Sequence, residues 1–286
     1  LFYSIFIWRN IKKRIRGFET FWKLSGMISP ISYDKQNIKE ADFVYNYYLS
    51  GSDQVWNLSL TDNDTTYFLD FTEKYKFSFA SSARNFWSGD EIPLVRELLS
   101  KYKMISVREK DTALQICEEL GINCEWIEDP TFLLYKKWDC LAKKPKEKEY
   151  ILVYYPDNQL LYVAQQYARK NNKRILVIQD GIRKRIYKKI NPINPEEWLG
   201  YIKYAEAVFT NSYHGLLFSI YFQKNVWTFN DGNRQKSVIN ELGIDNCLLK
   251  EKYDSLQEID YSQVSKKIEK VQETQKKYVK RMVELL

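Results

Sequence analysis

The sequence predicts an α/β fold with parallel sheets, arranged as two successive βα-repeat halves. Three observations carry that expectation. Short apolar runs of strand length alternate with amphipathic segments of helical spacing along most of the 286 residues. The motif-like sequences sit where the strands end. The rhythm breaks once, at the lysine-rich, Pro-containing stretch "KKWDCLAKKPKEKE" (136–149), which divides the chain into domains 1–140 and 141–286.

Residues 1–23, "LFYSIFIWRNIKKRIRGFETFWK", interleave aromatic and aliphatic residues with Arg9, Lys12, Lys13, Arg14, Arg16 and Lys23 against Glu19 alone. This is a basic amphipathic helix. It packs one side on the core, or it makes peripheral contact with an anionic membrane surface, and core packing is the expectation. The chain begins at Leu1 rather than Met, so an N-terminal truncation is expected. "DFVYNYYLS" (42–50) reads as a strand leading into the loop "GSDQVWN", and "KFSFA" (76–80) as a strand running into "SSARN". "EIPLVRELLSKY" is helical, with Pro93 in the first turn, where a missing N–H does no harm. "MISVRE" (104–109) is a strand, "KDTALQICEELG" a helix stopped at Gly121, and "CEWIED" (124–129) a strand ending at the turn "DPT".

The second half restarts with strand "YILVYY" (150–155), a helix over 159–170 and strand "RILVIQ" (174–179). Asn194-Pro195-Glu196-Glu197 opens a helix with an N-cap, a proline at the first position and acids in the first turn. Strand "EAVFT" (206–210), a buried helix in "SYHGLLFSIYFQ", strand "NVWTF" (225–229) and helix "QKSVINELG" (235–243) follow. Residues 261–286 form one long charged amphipathic helix.

Composition excludes several function classes. With 44% hydrophobic and 28% charged residues the chain buries real cores. No apolar run reaches the roughly 20 residues of a bilayer-spanning helix, and there is no secretory pattern. Cys117, Cys124, Cys140 and Cys247 show no C-x-x-C spacing, which fits reduced thiols in a cytoplasmic protein. With a single histidine, no metal site is expected. The net charge of +7 comes with no recognised nucleic-acid module, so nucleic acid is not an expected partner. Neither G-x-G-x-x-G after a strand nor a P-loop lysine is present. "DND" (62–64) has the spacing of a metal-binding acidic pair, but its setting in "SLTDNDTT" reads as a solvated loop.

Open α/β sheets bind ligands outside the carboxyl ends of their strands, which points to "GSDQVWN", "SSARN", "SVRE" and "TNSYHG". The last contains His214, the only histidine. Ser212 is placed to cap the following helix, and Gly215 in its first turn permits a close backbone approach. The uncommitted N–H groups of that turn make an anion site. A bound phosphate favours a protonated imidazole, which suits His214 as a general acid. Arg108, directly after a strand, can grip a carboxylate or phosphate with paired hydrogen bonds, or pair with Glu109 or another acid. Arg84 and Arg234, read as loop residues, are weaker candidates. Asp53 can accept a proton from a hydroxyl, or simply form a turn.

"GSDQVWN" (51–57), "YFLDF" (67–71), "ISVRE" (105–109), "EDPTFLL" (128–134) and "TNSYHGLLFSIYF" (210–222) resemble, in order and spacing, the polysaccharide pyruvyl transferase family. The resemblance implies two Rossmann-like domains in a GT-B-like arrangement, with the N-terminal domain, 1–140, as acceptor side and 141–286 as donor side. It implies transfer of pyruvate from phosphoenolpyruvate, a co-substrate with no other cofactor, onto two hydroxyls of one sugar as a cyclic ketal. The acceptor would be a cell-surface polysaccharide or a precursor, lipid-linked in one version. That places the enzyme in the cytoplasm, or peripheral to the inner face of the membrane, in exopolysaccharide and cell-envelope biosynthesis. His214 and Asp53 are then the expected catalytic residues. Arg108, Ser212, Gly215, Arg234 and Arg84 would bind the donor, and Ser52, Gln54 and Trp56 the acceptor. The chain departs from the family in lacking its usual first strand, in Ala80-Ser81-Ser82-Ala83-Arg84 for Ala-Ala-Ser-Phe-Gly, and in Asn211 where an Asp is common. The alternatives are a nucleotide-sugar glycosyltransferase of GT-B type and a non-catalytic glycan-binding relative.

Overall fold

A computed structural model describes residues 2–26, 28–84, 86–178, 187–251 and 255–286, the side chains of residues 2–10, 25 and 52 excepted. In chain order the elements are α1 (Phe2–Ser25), β1 (Tyr47–Ser52), β2 (Tyr75–Ser81), α2 (Glu91–Ser100), β3 (Ser106–Val107), α3 (Lys110–Glu118), β4 (Glu125–Trp126) and the short α4 (Trp138–Leu141). There follow β5 (Tyr150–Tyr154), α5 (Asn158–Lys170), β6 (Arg174–Ile178), β7 (Lys188–Lys189), α6 (Pro195–Lys203), β8 (Ala207–Thr210), α7 (Tyr213–Tyr221), β9 (Asn225–Trp227), α8 (Asn233–Leu242) and α9 (Tyr261–Glu284). Residue 179, the last of an expected strand, lies outside the described residues.

The chain forms two compact units. One comprises residues 31–134, 236–241 and 265–286 and carries a parallel sheet in the order β1-β2-β3-β4. Strand β2 is buried from Lys76 to Ser81, as expected for an inner strand covered on both faces. Its serines are satisfied: Ser78 Oγ donates to the Ser106 carbonyl at 2.8 Å and accepts from the Ser106 amide at 2.8 Å. Trp56, Phe68, Leu99, Val107 and Ile116 are fully buried core residues. The strand expected from residue 42 starts only at Tyr47, because residues Ile38–Phe43 wind into a 3-10 turn behind the Asp34 carboxylate, which accepts from the Gln36 amide at 2.8 Å. In α9, Ile268, Val271, Gln275 and Tyr278 are buried at helical spacing, and the Tyr278 hydroxyl donates to the Ser78 carbonyl at 2.8 Å.

The other unit comprises residues 1–30, 135–235 and 242–264 and carries a parallel sheet in the order β7-β6-β5-β8-β9. The order reverses between β5 and β8, the switch point at which open sheets leave a crevice. Caps set its helices locally. Asp157 accepts from the Leu160 amide at 2.7 Å at the start of α5, and Asn194 from the Glu197 amide at 2.9 Å at the start of α6. Helix α7 is buried at eight of its positions, from Tyr213 and Gly215 through Tyr221, as its apolar sequence implies. The chain passes from the four-stranded to the five-stranded unit at 134/135. Residues 1–30, however, join the five-stranded unit and residues 265–286 the four-stranded one, through contacts that no local pattern records.

Candidate functional site

In the four-stranded unit the expected site residues meet at the carboxyl ends of the strands. Arg108, one residue beyond β3, lies with its side chain only 1% exposed. Its Nη1 donates to Asp129 Oδ2 at 2.6 Å, its Nη2 to Asp53 Oδ1, and its Nε lies 3.7 Å from Glu109 Oε1. Asp129 is held in turn, because its Oδ1 accepts from the Thr131 amide at 3.0 Å and hydroxyl at 2.7 Å. Gln275 of α9 donates to the carbonyls of Glu128 and Asp129 at 2.7 and 2.9 Å. Ser82 Oγ donates to Glu109 Oε1. Of the three carboxylates around Arg108, Asp53 alone reaches solvent, with its side chain 40% exposed against 2% for Asp129 and Glu109.

This arrangement is the pairing with acids that the sequence offered as the alternative part for Arg108. A guanidinium among three carboxylates, two of them buried, acts as a mount. What the mount holds at the surface is the Asp53 carboxylate. Trp56 needs correction. Fully buried, it stacks on Phe68 at 5.4 Å and donates its Nε1 to the Tyr67 carbonyl at 3.1 Å, which leaves no ring face for a sugar. Gln54, in a left-handed conformation with φ 56°, accepts from Asn57 at 3.0 Å and from the exposed Arg84, itself at φ 68°, at 3.4 Å. The side chain of Ser52 lies outside those described. Asp64 accepts from the Thr66 amide at 3.0 Å and pairs with Lys35 at 3.1 Å, and Asp62 and Asn63 have left-handed φ, so "DND" is a turn.

Beside the network sits Glu128, the first residue of the "EDPTFLL" motif and one with no part in the expected site. Burial, with the adjacent Asp129 charge as a lesser cause, pushes its carboxyl up to about 8. Ser237 of α8 donates to its Oε1 at 3.3 Å.

In the five-stranded unit, β8 ends at Thr210 and α7 opens two residues later. Ser212 is the N-cap, with φ −82° and ψ 132°, and its Oγ accepts from the Gly215 amide at 3.2 Å. Its own amide donates to Thr210 Oγ1 at 3.0 Å. The amides of the first turn of α7 point out of the helix end, where the positive end of the dipole lies. Gly215 is required for packing, since a Cβ there would lie 2.5 Å from Thr210 Oγ1 and 2.8 Å from Tyr154 Cδ1. The close approach is thus made by side chains of β8 and β5, not by another backbone. His214 is half-buried, its ring 5.2 Å from that of Tyr213 at 71°. Arg234, expected in a loop, belongs to α8 and places its guanidinium 5.2 Å over the other partner of this group, the Tyr213 ring. Tyr213 is therefore the piece sequence reasoning missed: it joins His214 and Arg234. Asn211 Oδ1 accepts from the Phe229 amide at 3.0 Å and the Thr228 hydroxyl at 3.2 Å, bracing the loop after β9. A carboxylate could accept the same two bonds, so the departure at Asn211 leaves this brace intact.

A family model described as polysaccharide pyruvyl transferase matches residues 2–233. Among solved structures, the UDP-GlcNAc 2-epimerase from Methanocaldococcus jannaschii is similar at TM-score 0.53 and 11% identity, covering 88% of this chain and 82% of that one. A crystal structure of the same archaeon's UDP-GlcNAc 2-epimerase in complex with UDP-GlcNAc and UDP gives TM-score 0.49 and 12% identity, covering 88% and 87%. At such identity the first likeness shows the fold alone, and it agrees with the α/β, GT-B-like class expected from the sequence. No curated protein matches the chain significantly.

Proposed function

The chain belongs to the polysaccharide pyruvyl transferase family, whose name implies a sugar or polysaccharide acceptor, and we propose that it moves pyruvate from phosphoenolpyruvate onto two hydroxyls of one sugar as a ketal. The observation that carries this reading is the opening of α7. A capped helix N-terminus, the imidazole of His214 and the guanidinium of Arg234 gather around Tyr213 in one unit. A donor bearing a phosphate and a carboxylate on three carbons suits that concentration of positive charge.

The chemistry is as follows. His214, as imidazolium, gives its proton to the methylene carbon, so that the central carbon becomes electrophilic. A sugar hydroxyl adds there and loses its proton. The carbon–oxygen bond to phosphate then breaks with its electron pair, phosphate leaves, and the second hydroxyl adds to close the ketal, losing a proton. Two hydroxyl protons are released, one is taken up by the methylene carbon and one by phosphate, so the sum is ketal plus inorganic phosphate. Amides at the start of α7, together with Arg234, stabilise charge on the departing phosphate.

The test is calorimetric titration with phosphoenolpyruvate, inorganic phosphate serving as control, followed by phosphate release in the presence of a diol-bearing glycan. Binding by the wild type, with release abolished in His214→Gln, is expected. Unchanged release in His214→Gln would remove the imidazole from the mechanism, and saturable binding of a nucleoside diphosphate with no response to phosphoenolpyruvate would replace the donor.

A further inference from the structure

The five-stranded unit contains a cleft of about 230 Å³ lined by Arg14, Phe18, Tyr154, Tyr155, Asn194 and Trp198. It lies at the carboxyl ends of β5 and β6, where open sheets accept ligands. Its walls are aromatic and set as a corner. The rings of Tyr154 and Tyr155 are 5.7 Å apart at 81°, and those of Tyr154 and Trp198 are 5.7 Å apart at 70°. Tyr155 is 61% exposed and has φ 53°, a conformation that a bulky residue rarely adopts.

The roof is α1. A Cβ on Gly17 would lie 2.1 Å from the Ile193 carbonyl oxygen, so the helix backbone sits directly on the segment that leads into α6. That contact sets the rotation and height of α1 and brings Arg14 and Phe18, four residues apart and on one helical face, to the cleft. The back wall is shared with the opening of α7, because Tyr154 packs edge-on against Gly215.

Size and chemistry narrow the occupant. The volume is below the roughly 300–1,000 Å³ of clefts that hold drug-sized ligands, which suits a single ring. An exposed aromatic ring such as that of Tyr155 can cover the apolar C–H face of a puckered sugar ring and leave its hydroxyls to the rim. Asn194 spends its Oδ1 on capping α6 and keeps its N–H donors to offer. Among the described residues of the lining Arg14 is the cationic one, and a guanidinium has the planar geometry that matches a carboxylate. We propose that this cleft binds one acidic pyranose residue of the acceptor glycan, its C–H face on Tyr155 and Trp198 and its carboxylate at Arg14. The proposal rests on the sugar acceptor implied by the family, and it gives the basic N-terminal helix a part in substrate recognition.

Saturation-transfer NMR and calorimetry on the full chain, with glucuronate, glucose and uridine as probes, test this directly. Glucuronate is expected to saturate the protein and to receive magnetisation on its ring C–H protons, with glucose about tenfold weaker. Tyr155→Ala should weaken glucuronate about tenfold while far-UV and near-UV spectra stay unchanged. Arg14→Gln should reduce glucuronate to the level of glucose, and Gly17→Leu, remote from the ring, should weaken both by unseating the roof. Glucuronate binding that is absent, or equal in wild type and Tyr155→Ala, would overturn the proposal. So would tighter binding of uridine with the same sensitivity to Tyr155→Ala, which would make the cleft a nucleobase site. No phosphoenolpyruvate is present in these titrations, so failure of the transfer reading leaves their outcome untouched.

Discussion

Arg108 Nη1 donates to Asp129 Oδ2 at 2.6 Å while Nη2 holds Asp53, so one buried guanidinium ties the loop after β4 to the loop after β1. The two carboxylates differ in surroundings, with Asp129 buried and Asp53 partly in water. Removing the buried partner strands a desolvated charge, so Asp129→Ala should cost about 3–5 kcal/mol in equilibrium urea unfolding. Asp53→Asn keeps the shape and loses a solvent-exposed charge, so it should cost about 1 kcal/mol. Equal stability losses for the two variants would refute the view of Arg108 as a mount for Asp53.

The start of α7 depends on a cap and on an absent side chain. Ser212→Ala removes the acceptor for the Gly215 amide and should lower stability by about 1 kcal/mol. Gly215→Ala drives a methyl group into Thr210 and Tyr154 at 2.5 and 2.8 Å, and should cost about 1–3 kcal/mol through overpacking. Because that methyl pushes helix and β5 apart, Gly215→Ala should also weaken phosphoenolpyruvate binding more than Ser212→Ala does. Calorimetry on both variants decides the order.

Glu128 makes stability depend on pH in a defined direction. Its folded-state value of about 8 lies above the ordinary 4.5, so between those two values the folded protein keeps a proton that the unfolded chain releases. Stability from this group is therefore fully present below about 4.5 and is lost as pH rises towards 8, then levels off. Glu128→Gln removes the titration. The melting temperature of the wild type should fall relative to that of Glu128→Gln between pH 5 and pH 8, and parallel curves would count against a raised value.

Not every short ion pair matters. Arg281 and Glu125 approach to 2.6 Å, but their side chains are 51% and 38% exposed. Arg281→Ala should cost less than about 1 kcal/mol, and the difference should shrink in high salt as screening removes what little the pair contributes. Denaturation at two salt concentrations measures it.

Much of the framework was legible because its causes are local. Ser212 and Gly215, and likewise Asn194 and Glu197, are three residues apart, so a cap can be read from spacing and residue type. The apolar runs that became β5, β8 and β9 read as strands for the same reason. The two-residue strand β7, with the sequence Lys188-Lys189, carries no apolar signal at all and was invisible. Arg234 read as a loop residue because Asn233, which begins α8, follows a polar glycine-containing stretch that resembles a turn.

By itself, then, the amino-acid sequence determined the α/β alternation, the helix caps and the family motifs, all of which rest on periodicity or on hydrogen bonds between near neighbours. Tertiary structure alone decided the partners. Arg108 meets Asp53 across 55 positions and Asp129 across 21, Tyr278 reaches Ser78 across 200, and the cleft draws its walls from α1, β5 and α6. Such pairings follow from which sheet faces remain to be covered once the strands have assembled. Burial then makes the Arg108 guanidinium a charge that must be neutralised by its own carboxylates.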